Sequence, residues 1–238
     1  MKIFSSFRNI FNLALDKFMK AEDIITLEVP PLKITDTGLK ALEWMEEFKV
    51  LELPVVKQNV FVGLINENLV YDMPSPDDKI QNHLDNLEKI FVFNYQHVFD
   101  LIKVFVQKNV TLLPVIDEKG RYLGCITQKS LLRSIAHLFS INEQGALFTV
   151  EMRNSDYSIT ELGRMIESNN IKVLSLMTEK ASDSNFIRIT VKVNQPDISR
   201  LLQTFYRYNI NVVATYQESE YEQDLKKRWD EFMRYLNI

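Results

Sequence analysis

The sequence predicts a mixed α/β (α+β) protein in which two βαββα repeats pack as a pseudo-twofold pair, followed by a ferredoxin-like βαββαβ unit and a C-terminal helix. Three observations predict this fold class. A stretch of about 60 residues recurs in the first half of the chain, the spacing of apolar residues changes near residue 147, and the length of 238 residues exceeds that of one ordinary domain. Hydrophobic residues (46%) and charged residues (25%) occur in the proportions of a globular protein.

The repeat is clearest in two short apolar segments. Residues 50–56, VLELPVV, recur as residues 110–116, VTLLPVI, at a shift of 60 positions. Residues 60–65, VFVGLI, match residues 121–126, RYLGCI, at a shift of 61, because the turn between the blocks is one residue longer in the second copy. Each copy predicts a helix, a strand, a tight turn, a strand and a second helix. The first helix has matching apolar positions in the two copies: Ala41, Leu42 and Met45, then Leu101, Ile102 and Phe105.

From residue 147 onward the pattern predicts a different unit. We expect strands at 147–152, 171–178, 186–193 and 210–214, with one helix beginning near Ile159 and another near Ile198. This order, βαββαβ, is ferredoxin-like. The alternation of apolar and polar residues at 187–193 predicts a sheet with one face against the helices and the other facing solvent or a partner.

Both ends of the chain predict amphipathic helices. Apolar residues in 1–18 recur at spacings of three and four, and residues 218–238 carry a similar stripe beside charges of mixed sign. We expect both stripes to pack on protein, and binding to a membrane surface is the alternative for the first. Residues 1–18 offer no unbroken apolar core and no small-residue cleavage site, so we expect no export signal.

Composition argues against several classes of partner. The net charge of −4 provides no basic surface for nucleic acid. Cys125 is the single cysteine, so it forms no internal disulfide, and His83, His97 and His137 lack the spacing of metal ligands. We therefore expect a cytoplasmic protein with no metal, no nucleic-acid partner and no membrane partner.

The two copies resemble CBS domains in the order and spacing of their segments. In the first copy these are DIIT at 23–26, PLKI at 31–34, LPVV at 53–56 and VGLI at 62–65. In the second copy they are LPVID at 113–117 and YLGCIT at 122–127. The resemblance assigns repeat 1 to residues 19–74, and the linker with repeat 2 to residues 75–140. Residues 145–217 resemble an ACT domain, and the whole is similar to acetoin-utilisation-type regulators in which a CBS pair precedes an ACT-like domain.

The resemblance implies an adenine nucleotide, AMP, ADP or ATP, between the CBS copies. In the family, the threonine of a G-x-x-T-x-x-D stretch donates a hydrogen bond to the phosphate, and the aspartate accepts hydrogen bonds from the ribose hydroxyls. The second copy reads GCITQKS, which keeps Thr127 and places Ser130 at the carboxylate position, whereas the first copy has Asn66 and Leu69 at these two places. Thr127 also suits a helix N-cap. The candidate ligand-contacting positions are Thr127, Ser130, Leu113, Pro114, Asn66 and Thr26.

The ACT resemblance implies an amino-acid site at the turn after the first strand of the third unit. Asp156 is retained in that turn, and the glycine of the family pattern is missing. Asp156 or Ser158 as the N-cap of the next helix is the preferred interpretation, and Glu161 completes a capping-box pattern with Ser158.

No phosphate loop, nucleophile elbow or zinc-protease motif occurs in the sequence, so we expect no enzyme. The predicted function is that of a homodimeric regulator that binds a small-molecule effector between the CBS copies and relays binding through the ACT-like domain to an unknown protein. The alternative is a dimeric interaction scaffold with degenerate nucleotide sites and no small ligand.

Overall fold

The computed structural model describes residues 20–181 and 185–216. The chain divides into two compact units, Met1–Ser134 and Ile135–Ile238. The helices predicted for residues 1–18 and 218–238 lie outside the described residues. In the described part of the chain, no helix is both long and apolar enough to cross a membrane.

The first unit contains two copies of one element order. The first copy consists of β1 (Leu32–Lys33), α1 (Gly38–Phe48), β2 (Glu52–Lys57), β3 (Val60–Asn66) and α2 (Glu67–Tyr71). The second consists of β4 (Val92–Phe93), α3 (Val98–Lys108), β5 (Leu112–Ile116), β6 (Tyr122–Thr127) and α4 (Gln128–Leu138). Short 3₁₀ helices, Ala21–Asp23 and Ile80–Asn86, precede the copies. The predicted βαββα repeat is confirmed.

The two three-stranded sheets share one register. β1 runs parallel to β2 and β4 parallel to β5, with Leu32 opposite Val55 in the first sheet and Val92 opposite Val115 in the second. In each copy the following strand returns antiparallel, and a bulge interrupts the ladder at the same place. The hairpin turns use positive φ, at Asn59 in the first copy and Gly120 in the second, as tight turns require.

The longer helices begin and end at equivalent residues. The side chain of Thr37 accepts a hydrogen bond from the Lys40 N–H at 3.3 Å, and α1 ends at Lys49 with φ of 55°. In the second copy His97 precedes α3, which ends at Asn109 with φ of 50°. A left-handed residue after the last turn terminates a helix and sends the chain back towards the sheet.

The copies are joined by reciprocal backbone pairing. The Leu64 N–H of β3 donates to the carbonyl of Glu88 at 2.8 Å, and the Glu88 N–H donates back at 3.1 Å. At the related place, the Thr26 N–H donates to the carbonyl of Cys125 in β6 at 2.7 Å, and the Cys125 N–H donates back at 3.3 Å. The segment that leads into each copy is therefore held by the last strand of the other copy. The apolar core is also shared, because Leu112 and Cys125 of the second copy belong to the buried cluster of the first.

The second unit has β7 (Leu147–Arg153), α5 (Ile159–Glu167), β8 (Val173–Lys180), β9 (Phe186–Val193), α6 (Ser199–Arg207) and β10 (Asn211–Tyr216). The strands form one antiparallel sheet in the order β10-β7-β9-β8, which is the ferredoxin-like order predicted for βαββαβ. β8 begins two residues later than predicted, since Ile171 is packed in the core before the strand starts.

One face of this sheet is apolar and the other polar. Phe148 and Val150 of β7 and Ile189 and Val191 of β9 are fully buried together with residues of the two helices. On the opposite face, the Arg188 guanidinium donates to the Glu151 carboxylate at 2.8 Å. The alternation predicted for β9 is confirmed.

Candidate functional site

The last strand of each copy meets the leading segment of the other copy at two places related by the repeat, which we call the copy-one cleft and the copy-two cleft. The copy-one cleft is a cavity of about 260 Å³ lined by Leu51, Glu52, Leu64, Asn66, Glu67, Asn68, Glu88, Lys108, Asn109 and Val110. The copy-two cleft is defined by the equivalent positions, which are Thr111, Leu112, Cys125, Thr127, Gln128, Lys129, Thr26, Phe48, Lys49 and Val50.

A glycine allows the close approach in each cleft. Gly124 has φ of +144°, and a Cβ there would lie 2.4 Å from Cγ2 of Ile25. A Cβ on Gly63 would lie 2.6 Å from Cβ of Leu87. A side chain at either position therefore collides with the leading segment of the other copy, and at Gly124 it also strains the backbone.

In the copy-two cleft, Thr127 and Ser130 cap α4. The Ser130 N–H donates to Thr127 Oγ1 at 3.1 Å, and the Thr127 N–H donates to Ser130 Oγ at 3.1 Å. The Ser130 hydroxyl donates in turn to the Thr127 carbonyl at 3.0 Å. The structure thus brings the two predicted residues together as a helix cap. Among the described residues, the Thr127 hydroxyl proton has no acceptor, so it remains able to donate to a ligand.

In the copy-one cleft, both the oxygen and the nitrogen of the Asn66 side-chain amide are hydrogen-bonded within the protein. Its Oδ1 accepts from the Leu69 N–H at 2.9 Å and so caps α2. Its Nδ2 donates to Oε1 of Glu88 at 2.9 Å. Asn66 therefore holds a carboxylate at the edge of the cleft, at the place where the second copy has Thr127.

Glu52 is a residue of the copy-one cleft that sequence reasoning missed. Only 6% of it is exposed, and its Oε1 accepts from Thr111 Oγ1 at 2.8 Å, from the Leu112 N–H at 2.6 Å and from the Thr111 N–H. Burial raises the pKa of this carboxyl above its usual value, the hydrogen bonds from Thr111 and Leu112 oppose that shift, and the charge of Glu88 adds to it. The available signal was the repeat itself, which places a glutamate where the second copy has Leu112.

The two clefts differ in charge. Three glutamates and one lysine line the copy-one cleft, a formal charge of −2 when all are ionised. The equivalent copy-two positions contain no carboxylate and two lysines, Lys49 and Lys129, a formal charge of +2. Lys49 also forms an ion pair with Glu46, and such an exposed pair is weak. The side chains at related positions of the two clefts therefore carry formal charges of opposite sign.

The remaining predicted residues of the first unit lie in strands or backbone pairs. Leu113 is fully buried in β5, and Pro114 is buried opposite Cys125. Thr26 pairs with the backbone of Cys125, and its Oγ1 accepts from the Glu28 N–H at 3.1 Å.

Cys125 is a core residue. It is fully buried, and burial raises the pKa of its thiol to about 11, which keeps the thiol protonated at neutral pH. No group of three or more His, Cys, Asp or Glu side chains that could hold a metal ion occurs within residues 20–181 and 185–216.

In the second unit, Asp156 lies in a 3₁₀ turn, Asn154–Asp156, and its Oδ1 accepts from the Ser155 hydroxyl at 2.8 Å. Ser158 caps α5, because its Oγ accepts from the Glu161 N–H at 3.3 Å. Of the two predicted caps, Ser158 is the one formed. Asp156, Ser158 and Glu161 also line a cavity of about 410 Å³ beside the start of β10.

Comparison with curated proteins finds relatives for the first unit. The inosine-5'-monophosphate dehydrogenase of Methanocaldococcus jannaschii is 26% identical over 117 residues, which are 48% of this chain and 23% of that enzyme. An uncharacterized protein of Methanopyrus kandleri is 23% identical over 116 residues, 46% of this chain and 59% of that protein. The chain therefore spans less than two thirds of the length of these relatives.

Similar solved structures cover about half of the chain. A CBS domain pair/ACT domain protein of Thermotoga maritima has 22% identity, covers 50% of this chain and 98% of its own, and has a TM-score of 0.45. CBSX2 in complex with AMP has 20% identity, covers 50% of this chain and 96% of its own, and has a TM-score of 0.41. The sequence model of the CBS domain family matches residues 88–137. The matched residues lie in the second copy, and the first copy repeats the fold and strand register of that second copy.

Proposed function

We propose that this chain is a non-catalytic regulatory protein that binds an adenine nucleotide, AMP, ADP or ATP, in the copy-two cleft. The observation that carries the proposal is the composition of that cleft. It combines the unused hydroxyl proton of Thr127, the positive charge of Lys129 and the N-terminus of α4, an eleven-residue helix. These three features favour a phosphate group, because helix N-termini and lysines both stabilise anions.

The copy-two cleft offers weaker hydrogen bonding to the ribose of the ligand than to its phosphate. A carboxylate accepts from both ribose hydroxyls, whereas Ser130 offers a single hydroxyl that already donates to the Thr127 carbonyl. Losing a charge-assisted hydrogen bond costs roughly 1.5 to 3 kcal/mol, which is about 10- to 150-fold in affinity. We therefore expect weak binding, in a range suited to sensing abundant nucleotides.

Several further features belong to the same proposal. The ferredoxin-like unit is an ACT-like domain that relays the occupancy of the CBS pair, with its own effector cavity at Asp156. The active form is a cytoplasmic homodimer, and the regulated protein is a separate chain. Support comes from the match to the CBS family, from the resemblance of GCITQKS to the family's nucleotide stretch and from the strand order of the second unit.

A thermal-unfolding experiment with matched variants tests the proposal. AMP, ADP and ATP at millimolar concentration are added to the full chain, to Lys129→Gln and to Asn68→Gln, which alters the equivalent exposed position of copy one. We expect at least one nucleotide to raise the midpoint of the wild type and of Asn68→Gln, and to do so less in Lys129→Gln. No stabilisation by any nucleotide, or a loss confined to Asn68→Gln, contradicts the proposal.

A second function is favoured by one observation. The amide nitrogen and oxygen of Asn66 and the hydroxyl proton of Ser130 are all hydrogen-bonded within the protein, as an interaction scaffold with degenerate sites requires. That reading predicts a dimer at micromolar concentration and no response to any nucleotide. A monomer measured by light scattering removes its main support.

A further inference from the structure

The copy-one cleft has a chemistry of its own, independent of the nucleotide site proposed for copy two. Glu52 is 6% exposed, and the three hydrogen bonds that it accepts all go to Oε1. Its Oε2 accepts no hydrogen bond from the described residues, although Glu52 lines the cavity. A buried carboxylate is thus anchored by one oxygen and presents the other to the cavity without a partner.

The surroundings of this carboxylate reinforce its negative field. Asn66 holds Glu88 by one carboxylate oxygen at 2.9 Å, and Glu88 acts electrostatically on Glu52. The C-terminal end of α3 also borders the cavity, with Lys108, Asn109 and Val110 in its lining. A helix C-terminus carries the negative end of the helix dipole. The two carboxylates and the end of α3 therefore favour binding of a cation to this cavity and disfavour binding of phosphate.

The geometry limits which cation fits. No cluster with metal-ligand spacing exists in the described part of the chain, so a divalent ion lacks the ligands it needs. The cavity of about 260 Å³ is smaller than the roughly 300 to 1,000 Å³ of pockets that hold drug-sized ligands. An ammonium group needs fewer partners than a metal, because it donates three hydrogen bonds and carries one charge.

We propose that the copy-one cleft binds a small primary ammonium compound, whose ammonium group donates to Oε2 of Glu52 and to the carboxylate of Glu88. Lys108 borders the same cavity, so a ligand with a carboxylate at its other end is accommodated with its charges paired. The cleft is then a second effector site with a ligand class opposite in charge to that of copy two.

Isothermal titration of the full chain with three compounds of one chain length tests the proposal. Butylamine and 4-aminobutanoate carry the ammonium group, and butanoate lacks it. We expect both ammonium compounds to bind and butanoate not to bind. Removing a charged partner weakens such a hydrogen bond by roughly tenfold or more, so Glu52→Gln and Glu88→Gln each reduce the affinity by about that factor.

Glu28→Gln is the control, because Glu28 acts electrostatically on Cys125 at the copy-two cleft and is not among the residues that line the copy-one cavity. It leaves ammonium binding unchanged. The proposal is overturned if neither ammonium compound binds, if butanoate binds equally well, or if Glu28→Gln weakens binding as much as Glu88→Gln. Glu88→Gln keeps a side-chain oxygen that accepts from Asn66, so this variant tests the proposal independently of Glu52→Gln. Nucleotide binding is measured separately and is unaffected by Glu88→Gln, which keeps the two proposals distinguishable.

Discussion

The two copies in the first unit share one backbone arrangement and differ in the chemistry of their clefts. Their strand registers agree residue for residue, down to the position of the bulge, and a glycine in each allows the leading segment of the other copy to approach. The side chains that line the clefts differ at nearly every position. Glu52 of the first copy is Leu112 in the second, and Asn66 is Thr127.

The difference shows where a duplicated fold is free to diverge. Val55 and Val115 are both fully buried in central strands, where a change of volume costs stability. The cleft residues lie at strand ends and in the first helical turns, where a polar residue is satisfied by a cap or by solvent. Charge at these places changes without disturbing the sheet, so the copies acquire different ligand preferences on one scaffold.

The largest expected effect is a loss of unfolding free energy when Gly124 or Gly63 is replaced by alanine, and the loss should be larger at Gly124. Gly124→Ala places a Cβ 2.4 Å from Ile25 and forces a residue with a side chain to φ of +144°, whereas Gly63→Ala meets Leu87 at 2.6 Å without positive φ. We expect Gly124→Ala to lower the free energy of unfolding by about 2 to 5 kcal/mol and Gly63→Ala by about 1 to 3 kcal/mol. Urea unfolding of both variants measures the difference, and equal losses would show that backbone strain at Gly124 is absent.

A smaller effect is expected at the helix caps. Thr127→Ala removes the acceptor of the Ser130 N–H and costs about 1 kcal/mol. Asn66→Ala removes the acceptor of the Leu69 N–H and also frees Glu88, so its cost is at least as large. The same unfolding measurement checks both. A Thr127→Ala variant as stable as the wild type would mean that the cap is not formed in solution.

The smallest expected effect is a pH dependence of the unfolding free energy that arises from Glu52 in copy one. Because burial raises the pKa of Glu52 above its usual value near 4.5, the folded protein holds this proton more tightly than the unfolded chain does. The contribution of Glu52 to stability is therefore fully present below pH of about 4.5 and is lost as the pH rises through the raised pKa. Glu52→Gln keeps the acceptor and removes the charge, so we expect it to be more stable than the wild type at pH 7.

Measurement at low pH is the control for this prediction. The difference in unfolding free energy between Glu52→Gln and the wild type narrows as the pH falls towards 4.5, because Glu52 is then protonated and uncharged. Thermal unfolding across the range measures it. A difference that stays constant with pH would show that the Glu52 pKa is not shifted.

Most of the fold was predictable because it follows from the periodicity of apolar residues and from the internal sequence repeat. The shift of 60 positions predicted the paired units, and the alternation in β9 predicted the one-sided sheet. The start of β8 was predicted two residues early, since Ile171 is apolar for a reason of tertiary packing and not as part of the strand. Apolar residues next to a strand are indistinguishable from strand residues by pattern alone.

The candidate site was predicted less completely. Thr127 and Ser130 were found through the resemblance, and the structure adds that they bond to each other. Glu52 was missed because its role depends on backbone donors of residues 111 and 112, which lie about 60 positions away in sequence and next to it in space. Long-range hydrogen bonds to a buried carboxylate leave no local pattern to detect.

The number of AMP molecules bound per chain tests the central claim most directly. Isothermal titration of the full chain with AMP is expected to give one site per chain, weakened by Lys129→Gln and unchanged by Asn68→Gln. Two equivalent sites per chain, or a single site that is sensitive to Asn68→Gln and not to Lys129→Gln, would contradict the account, because the clefts would then not have diverged in the direction that their charges indicate.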